Sequence, residues 1–203
     1  MHKLARVITG SRLYGYYTEK SDTDYIDIYK DDIDTLIGFK KKMSSSQSIQ
    51  DGSDVTVYGL HHFLSLAIGG NPNILDILFS PLIIETSPEW EQIPRDAVLS
   101  YVCIRNALGY AKSALTQSGK RKAAKNLIAH RRMCYMATHL AMEGAWNPVL
   151  PPDVLQECWN IRADPATYTP LTPVIPKCLN TLLPDSPNVS VLNEYMESIY
   201  SLL

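Results

Sequence analysis

Apolar and polar positions alternate two by two in short stretches near the N-terminus, then recur at helical spacing further along the chain. Arg6-Val7-Ile8-Thr9 predicts a strand running into Gly10-Ser11, Asp24 to Lys30 a second, and Asp54 to Tyr58 a third. Lys40-Lys41-Lys42-Met43-Ser44-Ser45-Ser46-Gln47 is polar and Ser-rich, and reads as an exposed loop. Leu60 to Ile68 predicts a helix, closed by Gly69-Gly70 in a left-handed cap and followed by an Asn71-Pro72-Asn73 turn. Ala97 to Leu115 and Lys120 to Glu143 form the strongest helical patterns. A Gln117-Ser118-Gly119 turn between them predicts an antiparallel pair. Prolines between Pro148 and Pro187 exclude long helices, leaving Asp153 to Ile161 and Val191 to Leu202 as shorter ones. The expected fold is α/β of the α+β type. A small mixed-sheet domain, 1–93, precedes an α-helical domain, 94–203, that closes one side of a cleft, with the break at Ile93-Pro94.

Composition fits a soluble globular chain, with 45% hydrophobic and 20% charged residues. The net charge of −2 argues against non-specific coating of nucleic acid, although it leaves room for a local basic groove. Met1 to Gly10 lacks the apolar core of a signal peptide, and no apolar run approaches the roughly 20 residues of a membrane span. A cytoplasmic protein without membrane contact is expected. Cys103, Cys134, Cys158 and Cys178 show no CxxC pairing, so they are read as reduced and mostly buried.

Chemistry concentrates in Thr9 to Gly15 and Ser21 to Tyr29. On an extended chain, residues two apart project to one side, so Asp22 and Asp24 can face one site while Tyr25 faces away. Two carboxylates that close repel unless a cation lies between them, and hard oxygen donors suit Mg2+ or Mn2+. Gly10 and Ser11, at a strand-to-helix step, let backbone and hydroxyl approach a phosphate. Asp54, at the start of the next strand, is the candidate third carboxylate and proton acceptor, with Asp51 its rival. Such a site would bind an NTP with two metal ions and align its α-phosphate for in-line attack.

Gly10-Ser11-Arg12-Leu13-Tyr14-Gly15 and Ser21-Asp22-Thr23-Asp24 resemble the signature of DNA polymerase beta superfamily nucleotidyltransferases. Together with Asn71-Pro72-Asn73-Ile74-Leu75-Asp76-Ile77-Leu78-Phe79-Ser80-Pro81, they resemble the RNA-repair-pathway-associated family within it. The resemblance is closest over about the first eighty residues. It implies transfer of a nucleoside monophosphate from an NTP to an acceptor hydroxyl, with Asp22, Asp24 and Asp54 holding two divalent ions and Ser11 at the phosphates. By family analogy the acceptor is an RNA or tRNA 3′ end. Two alternatives stand beside it: transfer to a protein side chain, as in toxin–antitoxin systems, and a non-catalytic nucleotide-binding module.

The remaining candidates carry two readings each. Arg12 can bind phosphate or pair with an aspartate. Arg121, Lys125 and Arg132 share a helix face that can receive a triphosphate or an RNA backbone, or be an ordinary solvated surface. Of these, Lys125 and Arg132 join Gly10, Ser11 and Arg12 as nucleotide-binding candidates. His130 reads as a packed or surface histidine. Tyr14, Tyr16 and Tyr17 can stack on a base or serve the core. Asp27 is expected at the surface, and Asp31, Asp32 and Asp34 in a solvated turn and helix cap.

Overall fold

The computed structural model describes residues 2–33, 36, 45–50, 53–121, 124–171 and 183–200. Five strands form one mixed sheet: β1 (Lys3–Thr9), β2 (Asp24–Tyr29), β3 (Ser45–Gln50), β4 (Ser53–Gly59) and β5 (Ile83–Thr86), in the order β3-β4-β2-β1-β5. Only β2 and β4 pair in parallel. That pair sets Tyr25 beside Val55, so Asp24 and Asp54, one residue earlier on each strand, stand level. Thr9, the last residue of β1, lies opposite Asp24. Three chain segments thereby deliver their polar ends to one edge of the sheet.

A short helix α1 (Gly10–Tyr14) leaves β1 directly, and α2 (Leu60–Ile68) leaves β4 over the residues its periodicity predicts. Gly70, at φ +67, supplies the left-handed exit after α2. Asn71 is more than a turn. Its side chain accepts from the amides of Asn73 and Ile74 and so caps α3 (Pro72–Leu78), with Pro72 in the first turn, where it sacrifices no helical hydrogen bond.

The helical half begins, after α4 (Pro88–Glu91) and a 3-10 turn at Arg95–Val98, with α5 (Tyr101–Arg121). Gln117-Ser118-Gly119 continues this helix and does not turn. A lone glycine near a helix end costs only about 1 kcal/mol relative to alanine, which neighbouring helical residues offset. α6 (Ala124–Glu143) packs along α5, followed by α7 (Pro152–Ala163), a 3-10 turn at Pro165–Thr167, and α8 (Val189–Tyr200).

The Ser-rich stretch needs a second correction. Ser45 to Gln47 lie in β3 and pair with β4, whereas residues 40–44 fall outside the described part. An edge strand whose side chains meet water carries no apolar alternation, and Ile49 within it is 77% exposed. The pattern therefore looked like a loop.

One buried cluster joins Leu4, Val7, Ile26 and Ile28 of the sheet to Phe63, Leu75 and Trp90, and continues through Cys103, Met133, Leu140 and Leu192. Residues on both sides of Ile93-Pro94 share it. Fully burying side chains of this size contributes about 1.5–3 kcal/mol each. A second cluster, Leu13, Tyr14, Ile128, Val154, Cys158 and Ile161, ties α1 to α6 and α7. The open space above it is the candidate site. Among the described residues, no helix is long and apolar enough to cross a membrane.

Candidate active site

A cavity of about 840 Å3 opens between the ends of β1, β2 and β4 on one side and α6 and α7 on the other. Gly10, Ser11, Asp22, Asp24, Asp54, Lys125 and Arg132 all line it. Asp24 is half-buried, whereas Asp22 and Asp54 are exposed. Asp22 sits just before β2 and not on it, in the loop that leads into the strand.

Burial pushes the Asp24 carboxyl above its ordinary value, and the charges of Asp54 and Asp22 push it further, while Lys125 opposes them. Asp24 therefore senses two further carboxylates across one opening. Among the described residues, no three His, Cys, Asp or Glu side chains are already gathered as a metal cluster. The donor chemistry nonetheless fits hard divalent ions: the ligands are oxygens, their mutual repulsion calls for positive charge, and Lys125 supplies only part of it.

Gly10 shows why this position excludes a side chain. Its φ is +68, and a Cβ there would lie 2.2 Å from Asp24 Oδ2. Gly10→Ala is expected to lower stability by about 1–2 kcal/mol from the left-handed backbone alone, before the clash is counted. Urea denaturation of the two proteins measures it, and an unchanged midpoint would show that Gly10 is not constrained.

The loop between α1 and β2 is tied down at three points. Arg12 donates to the Ser21 carbonyl at 3.1 Å and lies over the Tyr17 ring at 5.1 Å. Ser21 Oγ accepts from the Thr18 amide at 2.9 Å, and Arg162 donates to the Tyr16 carbonyl at 2.7 Å. Arg12 thus does not line the cavity and pairs with no aspartate among the described residues; it braces the loop that carries Asp22. Tyr16 lines the cavity, stacked on Tyr14 at 5.7 Å. Tyr17 is exposed, and Tyr14 belongs to the core.

Arg132 is 5% exposed and forms an ion pair with Asp76, which is itself fully buried. Its guanidinium lies 3.8 Å from the centre of the Tyr14 ring. Asp76 also accepts from Tyr14 Oη at 2.9 Å and Trp146 Nε1 at 3.0 Å. Arg132 is therefore a compensated charge in the cavity wall, unlike the exposed Lys125. The Arg121 side chain, Asp34, Asp51 and Cys178 lie outside the described residues.

Other polar residues resolve differently from their sequence readings. Asp27 is buried to 1% exposure, not at the surface. Arg6 reaches it through two hydrogen bonds of 2.7 Å, and Lys3 Nζ lies 3.5 Å away. Strand parity correctly sets Asp27 on the face opposite Asp24, but that face is covered by its own cations. Asp31 is also buried, accepting from the His61 amide at 2.8 Å and so capping α2 from a distant segment, while Asp32 is exposed. His130 packs against the Tyr168 hydroxyl at 2.7 Å, and Arg131 pairs with Glu157. Cys103, Cys134 and Cys158 are free and buried. Lys20, Tyr110 and Arg162 line the cavity without having been singled out in the sequence, and Asn73, read there as part of a turn and of the family motif, lines it too. Position 20 lies two residues before Asp22, the one signal that pointed to it.

A protein of Enterobacteria phage T4, "Uncharacterized 38.9 kDa protein in nrdC-mobD intergenic region", is 32% identical over 132 residues, covering 59% of this chain. The chain spans 39% of that protein's length. The family model for the RNA repair pathway DNA polymerase beta family (RlaP) matches residues 3–171, from the first strand to beyond α7, and the chain belongs to that family of DNA polymerase beta-like nucleotidyltransferases.

Proposed function

We propose that this chain moves a nucleoside monophosphate from an NTP to the 3′ hydroxyl of an RNA, tRNA ends included, with the aid of divalent metal. The observation that carries this reading is the meeting of Asp22, Asp24 and Asp54 with Gly10, Ser11 and Lys125 around one cavity. Family membership supports nucleotidyl transfer, and the family's place in an RNA repair pathway supports RNA as the acceptor. We take the cytoplasm, where NTPs and RNA ends meet, as its setting.

Asp22, Asp24 and Asp54 would hold two Mg2+ or Mn2+ ions. Bound there, the ions would neutralise triphosphate charge and polarise the attacking hydroxyl. Gly10 leaves the backbone open to the triphosphate, Ser11 offers a hydroxyl donor, and Lys125 a mobile point charge. Tyr16 gives the base an aromatic face. The acceptor oxygen forms a new bond to the α-phosphorus as the bond from the α-phosphorus to the α,β-bridging oxygen breaks. Pyrophosphate leaves, and the hydroxyl proton passes to the Asp54 carboxylate.

Two NTP samples, labelled at the α- or the γ-phosphate, test this directly. The α-label is expected on RNA and the γ-label in pyrophosphate. Retention of γ-label on RNA would mean phosphoryl transfer of another kind. Asp54→Asn is expected to slow transfer by about 10²–10⁴-fold, the usual weight of a general base, with little change in NTP affinity. Single-turnover rates measure it, and a rate equal to the parent's would remove Asp54 from the mechanism.

A further inference from the structure

A second cavity, about 430 Å3, meets the first at the carboxylates. Gly10, Tyr14, Asp24, Asp54, Asn73 and Lys125 border both. Away from that shared edge the two differ in charge. The first contains Lys20, Arg132 and Arg162 besides Lys125; the second, among the described residues lining it, has Lys125 as its one cation.

Sheet register explains what lines the second cavity. Asp54, Thr56 and Tyr58 alternate along β4 and so face one side of the sheet. Thr56 pairs with Ile26 on β2 and with Gln47 on β3, which extends the same face across three strands. Helix α3 forms the facing wall through Ile74 and Ile77. The result is a slot lined by Ile26, Ile74 and Ile77 together with a hydroxyl, an amide and aromatic rings, with Asp24 and Asp54 on the edge it shares with the first cavity.

We propose that this slot is the acceptor site, and that it takes the unpaired terminal nucleoside of an RNA 3′ end; this rests on the RNA nucleotidyltransferase reading above. With Arg132 neutralised by Asp76, Lys20, Lys125 and Arg162 remain to favour the triphosphate in the first cavity, leaving the second to the other reactant. With Asp24 and Asp54 given to the metal ions, Lys125, which the first cavity shares, is the one cation among the described residues lining the second; that is too little charge for a run of phosphates, so the inserted group is neutral, as a ribose with its base is. Its hydroxyl then points at the shared carboxylates, while the charged backbone stays outside. A slot of this volume suits one small-molecule-sized group. A terminal base pair would have to open first, at a cost of a few kcal/mol, whereas an overhanging nucleotide enters without that cost and gains stacking. The enzyme therefore selects single-stranded ends.

The test compares α-labelled NTP transfer by the unaltered protein to one RNA sequence as a single strand, as a duplex with a 3′ overhang, and as a blunt duplex. Single strand and overhang are expected to be labelled at least about tenfold faster than the blunt end. Thr56→Trp, which fills the slot, is expected to raise the acceptor KM about tenfold or more while the Kd for NTP stays put. Equal use of blunt and single-stranded ends would overturn the inference and leave the RNA reading standing. So would a Thr56→Trp protein whose NTP Kd and acceptor KM deteriorate together. Label on protein with none on any RNA would overturn both.

Discussion

Asp24→Asn is expected to lose nucleotide transfer by about a hundredfold or more and, in metal-free buffer, to melt at a higher temperature than the parent. The two effects have one cause. Burial and the neighbouring Asp54 and Asp22 raise the Asp24 carboxyl above its ordinary value. A carboxyl whose folded-state pKa lies above its unfolded one destabilises the fold wherever it is ionised in both states. That penalty is absent below the unfolded-state value and complete above the folded-state one, hence present at neutral pH. Asparagine keeps the shape and removes the charge, so the fold gains what the metal site loses, a trade common at active sites. Loss of one preorganised electrostatic group typically costs 10²–10³ in rate. A calorimetric scan with and without Mg2+, beside single-turnover kinetics, reads both. A variant that melts lower without metal would show that the Asp24 charge is compensated within the protein.

The second large effect is structural. Asp76→Ala is expected to lower stability by about 3–5 kcal/mol, because it leaves the buried Arg132 without its counter-charge and the Tyr14 and Trp146 donors without an acceptor. Domains have only about 5–15 kcal/mol in total, so partial unfolding at ambient temperature is within reach. Removing both charges with Asp76→Leu and Arg132→Met is expected to recover a large part of the loss, since no lone buried charge remains. Urea melts of the two single variants and the double complete the cycle. Equal destabilisation by the single and the double variants would mean that shape and not charge dominates at this position.

The gathering of Asp22 and Asp24 beside Gly10 and Ser11 at one cavity was the most legible part of the candidate site because it rests on local chemistry. Gly10 before Ser11, and Asp22 two residues before Asp24, need only strand geometry to be read. The parallel pairing of β2 with β4 then sets Asp54 level with Asp24, a relation available to sequence only as the expectation that neighbouring strands approach. Cations were harder. Arg12, Lys125 and Arg132 look alike in sequence, yet one braces a loop, one faces the cavity and one is neutralised by Asp76. What separates them is a partner up to dozens of residues away, which spacing alone does not reveal. Asp27 was misplaced for the same reason: parity assigns a face, but Arg6 and Lys3 decide whether that face is wet; Asp31 does cap a helix, yet a distant one, through the His61 amide, and is buried there. β3 escaped notice because an exposed edge strand needs no apolar alternation, and the continuation of α5 through Ser118-Gly119 shows tertiary packing overriding a turn signal.

The most direct test of nucleotidyl transfer at Asp22 and Asp24 is to incubate the protein with each α-labelled NTP, Mg2+ or Mn2+, and a cellular extract of RNA and protein. An Asp22→Ala/Asp24→Ala double variant runs alongside. Label on RNA from the parent and none from the variant is the expected result. Equal labelling by the two proteins, or NTP binding without label on any acceptor, would contradict it.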